Sequence, residues 1–130
     1  MRLSDGLRLD AYTTQRDGGL LRVRLFWDAA GSLPHDYALF VHVADPATAE
    51  PQAQYDGFPL VPTSEWGDGA RWISDVAIDV GDLPAGDYAL NVGWFDPAGN
   101  TRLAVRGDSP LARQGIIALG TVRIEADSQP

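Results

Sequence analysis

The sequence contains no cysteine and no lysine. The first absence excludes a disulfide framework, a thiolate metal site and a cysteine nucleophile. It leaves the compartment open, because a domain of 130 residues buries enough surface to be stable without bridges, even in an oxidising space. The second absence leaves arginine to supply all ten basic residues against 18 acidic ones, a formal net charge of −8. Such a chain repels phosphate backbones, which argues against general nucleic-acid binding. The acidity supports solubility by itself. The usage, free of Lys and rich in Arg, Ala and Gly, fits a high-GC bacterial coding bias.

Long apolar runs are missing as well. None approaches the ~20 residues of a membrane helix, so this segment is not expected to insert into a membrane. Met1 to Gly6 lacks the apolar stretch of a signal peptide. Two readings follow, a cytoplasmic protein or an excised piece of a longer chain. No segment of a dozen residues carries helical periodicity, and there is no internal repeat or low-complexity stretch.

What the chain does carry is a period of two. Leu7, Leu9 and Ala11 alternate with polar neighbours, and after the turn Arg16-Asp17-Gly18-Gly19 so do Leu21, Val23, Leu25 and Trp27. Tyr37, Leu39, Val41 and Val43 form one face of a third strand, with Ala38, Phe40, His42 and Ala44 on the other. Both faces are mostly apolar, which predicts a central strand. Residues 46 to 70 are irregular and hold Pro46, Pro51, Pro59 and Pro62, so at most a short edge strand fits, around Gln52 to Gly57. A long loop on a regular domain is where function concentrates.

Regular strands return at Arg71–Val80 and Asp87–Phe95, then after the turn Asp96–Asn100 at Arg102–Val105, and after a loop at Ile116–Ile124. The whole reads as an all-β chain, an antiparallel two-sheet sandwich of Ig or fibronectin style with about eight strands. Residues 1–125 are expected to form this single domain and 126–130 a flexible tail. Tyr88 starts a strand just after Leu83-Pro84-Ala85-Gly86. A tyrosine so placed locks a sandwich corner by sending its hydroxyl to an upstream backbone group.

Four stretches carry a family resemblance. They are Leu25–Trp27 with Asp36–Val43, Gln54–Pro59 with Pro62–Trp66, Leu83–Tyr88 with Val92–Pro97, and Thr101–Leu103 with Leu119–Val122. Through them the chain resembles β-sandwich domains at the extracytoplasmic ends of large bacterial membrane proteins, many of which are similar to lipid-linked-sugar glycosyltransferases. The resemblance implies an extracytoplasmic accessory module of the cell envelope within a longer chain. It implies no activity for any particular residue.

Three kinds of chemistry deserve weighing. His42 sits mid-strand with Asp56 downstream, and an aspartate can hold a histidine tautomer. Ser64 or Ser74 would have to supply a nucleophile, yet neither lies in a nucleophile elbow. The plainer reading is a buried histidine satisfied by a hydrogen bond, while His35, in a loop beside Pro34, is expected to face solvent. No catalytic residue is assigned and no enzyme activity is expected. Metal is the second idea. The loop residues Asp45, Asp56, Asp68 and Asp96 lack the spacing of a calcium loop, and two histidines alone do not make a zinc site. Asp commonly caps turns instead, and no metal or cofactor is expected. Glu50, Glu65 and Glu125 give no paired-carboxylate context for glycoside hydrolysis.

The third idea is carbohydrate binding. Tyr55, Phe58, Trp66 and Trp72 cluster in or beside the 52–72 loop, among Gln52, Gln54, Asp56, Glu65 and Asp68. Trp66 is the one whose neighbours suggest exposure. The competing reading folds these aromatics over the sandwich edge as a lid on the core, as large aromatic surfaces usually do. The ligand-binding candidates are therefore Tyr55, Asp56, Trp66, Trp72 and His42. The expected partner is a glycan or an envelope protein. The alternative is a structural or protein-docking domain without a small-molecule ligand, recognised by an exposed apolar patch or a free edge strand.

Overall fold

The computed structural model describes residues 7–29, 36–67, 69, 71–99, 101–103, 105 and 110–124. Residues 31–35 (His35 among them), Asp68, residues 106–109 of the expected last loop, Glu125 and the expected 126–130 tail lie outside the described residues.

Eight strands follow one another: β1 (Leu7–Asp17), β2 (Leu20–Ala29), β3 (Ala38–Ala44), β4 (Pro51–Gly57), β5 (Arg71–Asp79), β6 (Gly86–Asp96), β7 (Thr101–Arg102) and β8 (Ile117–Ile124). They form two antiparallel sheets. One has the order β1-β2-β5; the other has the order β4-β3-β6, with β7 and β8 occupying successive stretches of the far edge of β6. The expected sandwich and its strand number are thus observed. β3, flanked by β4 and β6, is buried along its whole length, as its two apolar faces require.

The core lies between the inner faces. β2 contributes Leu21, Val23, Leu25 and Trp27, and β5 contributes Val76 and Ile78. Facing them are Leu39, Val41 and Val43 of β3, Leu90, Val92 and Trp94 of β6, and Ile117 and Ile124 of β8. At roughly 1.5–3 kcal/mol per large apolar side chain, this two-faced layer is the main source of stability.

Some local expectations change. The β1 ladder slips between Leu9 and Ala11. Before the slip Leu7 and Leu9 reach the core; beyond it every residue of β1 is exposed, so Ala11 does not join the inner face. The return strand β7 is two residues long rather than Arg102–Val105, and one helical turn, α1 (Pro110–Arg113), occupies the expected loop. A proline at the first helical position loses no hydrogen bond. No helix among the described residues is long and apolar enough to cross a membrane.

Two tyrosines close the sandwich. The Tyr88 hydroxyl donates to the Pro84 carbonyl at 2.6 Å, the corner lock its position predicts. The Tyr12 hydroxyl, on the exposed half of β1, donates to the Leu119 carbonyl at 2.7 Å and ties the small sheet to β8.

Candidate functional site

The irregular segment after β4 is a lid on the core. A 3₁₀ turn in it, Thr63–Glu65, is fastened to the start of β3. The Tyr37 amide donates to Thr63 Oγ1 at 2.8 Å, and the Ser64 amide donates to Asp36 Oδ1 at 3.1 Å. These bonds drop Trp66 into the sandwich end. It stacks on Trp72 with centroids 5.0 Å apart and meets the edge of Trp94 at 5.7 Å, and Trp94 in turn meets Trp27 at 5.2 Å. The Trp66 indole N–H donates to the Val61 carbonyl at 2.9 Å. Trp66 is 2 % exposed, so the exposure suggested by its polar neighbours is corrected: the lid reading describes it. Trp72 is half-buried beneath it.

The five sequence-selected residues do not form one site. Strand β4 places Tyr55 inward against the core, while Asp56, one residue on, takes the opposite side. Tyr55, Trp66 and Trp72 belong to the interior, whereas His42 and Asp56 come together on the outer face of the five-stranded sheet.

That outer face carries an open groove of about 420 Å³, lined by Phe40, His42, Gln54, Asp56, Phe95 and Arg102, with Pro51 and Thr101 at its margins. Phe40, His42, Gln54, Asp56, Phe95 and Arg102 share one strand parity, and Thr101 is the neighbour of Arg102 on the other. His42 lies opposite Gln54 on β4 and Asn91 on β6, and Phe40 lies opposite Asp56 and Gly93. Asn91 is fully buried, with neither amide atom hydrogen-bonded. Phe40 rests 4.8 Å from the His42 ring and 6.4 Å from Phe95. The Arg102 guanidinium lies 4.8 Å over the Phe40 ring, a cation–π contact, and donates to the Gln114 carbonyl at 3.1 Å.

Polar capacity in the groove is largely unused. Gln54 Nε2 donates to Asp56 Oδ2 at 2.8 Å. His42, 7 % exposed, has no hydrogen bond among the described residues. Burial lowers the His42 pKa from its ordinary value; Asp56 works against that shift and Arg102 adds to it. The imidazole is therefore neutral at pH 7, one nitrogen a donor and the other an acceptor. Neither Ser64 nor Ser74 reaches this groove, and Ser74 Oγ instead accepts from the Trp27 indole at 3.2 Å.

A second feature lies at the rim where the edge strands β4 and β5 approach each other. Phe58 and Ile73 are each 58 % exposed, and Leu60 is fully exposed. All three line one groove together with Leu39 and Tyr55. Phe58 also borders a second groove, lined by Pro62, Pro97 and Ala98.

Sequence reasoning missed Arg102, Phe95 and Thr101, because their place beside His42 depends on pairing across β3, β6 and β7. It also missed Ile73, whose outward parity between Arg71 and Asp75 was a readable signal. Asp45 and Asp96 cap turns, accepting from the Ala47 and Thr48 amides and from the Ala98 amide respectively. Among the described residues no group of three or more His, Asp and Glu side chains is placed to hold a metal ion. No protein-family model matches the chain, and no curated protein matches it.

Proposed function

We propose that this chain is a non-catalytic accessory module of the extracytoplasmic, Ig- or fibronectin-like type, and that it docks a protein partner of the cell envelope on the β4–β5 rim. The observation that carries this reading is the concentration of exposed apolar side chains there. Of the four large apolar residues exposed among the described residues, Phe58, Leu60 and Ile73 line a single groove. Ile73 stands between Arg71 and Asp75 on the solvent face of β5, where alternation calls for a polar residue. A contiguous apolar patch beside a free strand edge is the usual mark of a protein contact.

The module style is supported by the facing orders β1-β2-β5 and β4-β3-β6-β8 and by the Tyr88 corner. The extracytoplasmic context rests on the sequence resemblance. Glycan recognition through the 52–72 loop loses its main support, because Trp66 offers no free ring face to a sugar.

Site-specific photo-crosslinking in the producing cells tests the docking reading. A benzophenone side chain at Leu60 or at Ile73 is expected to yield the same discrete protein adduct, lost when Phe58 is changed to Asp. The control is Thr121, exposed on β8. Absence of an adduct from both rim positions, or the same adduct from Thr121, overturns the proposal.

A further inference from the structure

The groove on the outer face of the five-stranded sheet is separate from the rim and calls for its own explanation. Outward residues of a sandwich sheet are ordinarily solvated and polar. Here two of them, Phe40 and His42, are buried and make a floor. Gln54 and Asp56 stand along one side on β4, and Thr101 and Arg102 along the other on β7. A volume of about 420 Å³ is of the size that holds a small ligand.

The chemistry of the walls narrows the class. Among the described residues, one Asp56 carboxylate oxygen and the Gln54 side-chain carbonyl have no hydrogen-bond partner, and His42 offers one donor and one acceptor. Arg102 has no ion pair among the described residues, and its stacking on Phe40 leaves guanidinium N–H groups beyond the one given to Gln114. Acceptors stand on the β4 side and donors on the floor and the β7 side, which suits a ligand whose groups both donate and accept. Hydroxyls are such groups. The Asp56 and Arg102 charges offset each other, and a chain of net charge −8 disfavours a polyanionic ligand. The half-buried Phe95 ring and Pro51 supply apolar surface for C–H groups.

We infer that this groove binds a neutral saccharide, with Asp56 and Gln54 receiving its hydroxyl protons, His42 and Arg102 donating to its oxygens, and Phe95 packing on its C–H face. The site is distinct from the tryptophan-lined loop. It also stands or falls independently of docking at the β4–β5 rim.

The test is an NMR titration of the labelled protein with maltose, cellobiose and N,N′-diacetylchitobiose, and with glucuronate as the anionic probe. At least one neutral disaccharide is expected to shift the His42, Gln54 and Arg102 side-chain resonances. Asp56→Asn, which removes the charged acceptor, is expected to weaken that binding about tenfold or more, and Gln54→Ala, which removes a neutral one, about threefold or more. Ile73→Asp, on the rim, is expected to leave it unchanged. Both groove substitutions are at exposed positions, and an unchanged amide spectrum away from the groove verifies the fold. The inference is overturned if no neutral disaccharide shifts these resonances. It is equally overturned if glucuronate binds more tightly than every neutral sugar and Arg102→Gln abolishes that binding, which would make the groove an anion site.

Discussion

Trp66 lies almost parallel to Trp72, with ring planes 12° apart and centroids 5.0 Å apart, so the loop aromatic with the most polar sequence neighbours is a structural member of the core. Its removal opens a cavity bordered by Trp72 and Trp94 and orphans the Val61 carbonyl. We expect Trp66→Ala to cost about 3–5 kcal/mol in denaturant unfolding. Iodide is expected to quench the wild type and Trp66→Phe to the same small degree. A strongly quenched component present in the wild type and lost in Trp66→Phe would contradict the packing described.

The corner bond from Tyr88 to the Pro84 carbonyl closes the β5–β6 connection with a single hydroxyl. Tyr88→Phe keeps the ring, which packs against the core, and removes only that donor. The expected loss is about 0.5–1.5 kcal/mol, the usual net worth of one hydrogen bond. Urea unfolding of the two proteins measures it, and no difference would mean that the corner is held by packing alone.

Much of this architecture could be read along the chain because it is local. The alternation of Leu90, Val92 and Trp94 marks an inner face whatever strand lies beside it, and Tyr88 announces its corner from four residues away. Asp45 and Asp96 cap turns within three residues of themselves. The candidate sites are non-local. Trp66 lies in a segment without periodicity, and its burial is decided by the Tyr37–Thr63 bond, 26 residues apart in sequence. Tyr55 and Asp56 are adjacent in sequence, yet the pleat sends them to opposite faces. Arg102 meets Phe40 only because β7 and β3 both border β6.

Gly93 shows the same non-local logic at one backbone position. A Cβ placed there would collide with the Phe40 ring and lie 2.7 Å from the Gly115 carbonyl oxygen. The chain after α1 therefore approaches the sheet where a side chain is missing. Gly93→Ala is expected to destabilise by about 1–3 kcal/mol, the typical cost of overpacking. It is also expected to shift the Phe40 and Arg102 resonances, since Phe40 must move beneath Arg102. Wild-type stability in this variant would show that the Gly115 segment does not rest on β6.

His42 should make the protein less stable in mild acid, and the direction follows from its surroundings. Burial disfavours the imidazolium, Asp56 opposes that effect and Arg102 reinforces it, so the folded-state pKa lies below the ordinary value of about 6.5. Above 6.5 both folded and unfolded chains carry a neutral His42 and the full stability is present. As the pH falls below 6.5 the unfolded chain takes up a proton that the folded chain refuses. Stability therefore declines until the pH passes through the folded-state pKa, where the folded protein also protonates and the loss levels off. Urea unfolding between pH 7.5 and pH 5 is expected to show a steeper decline for the wild type than for His42→Gln, and the imidazole proton signal missing from that variant is expected to titrate below 6.5. Parallel stability curves, or a titration midpoint at or above 6.5, would mean that Asp56 stabilises the imidazolium enough to outweigh its burial.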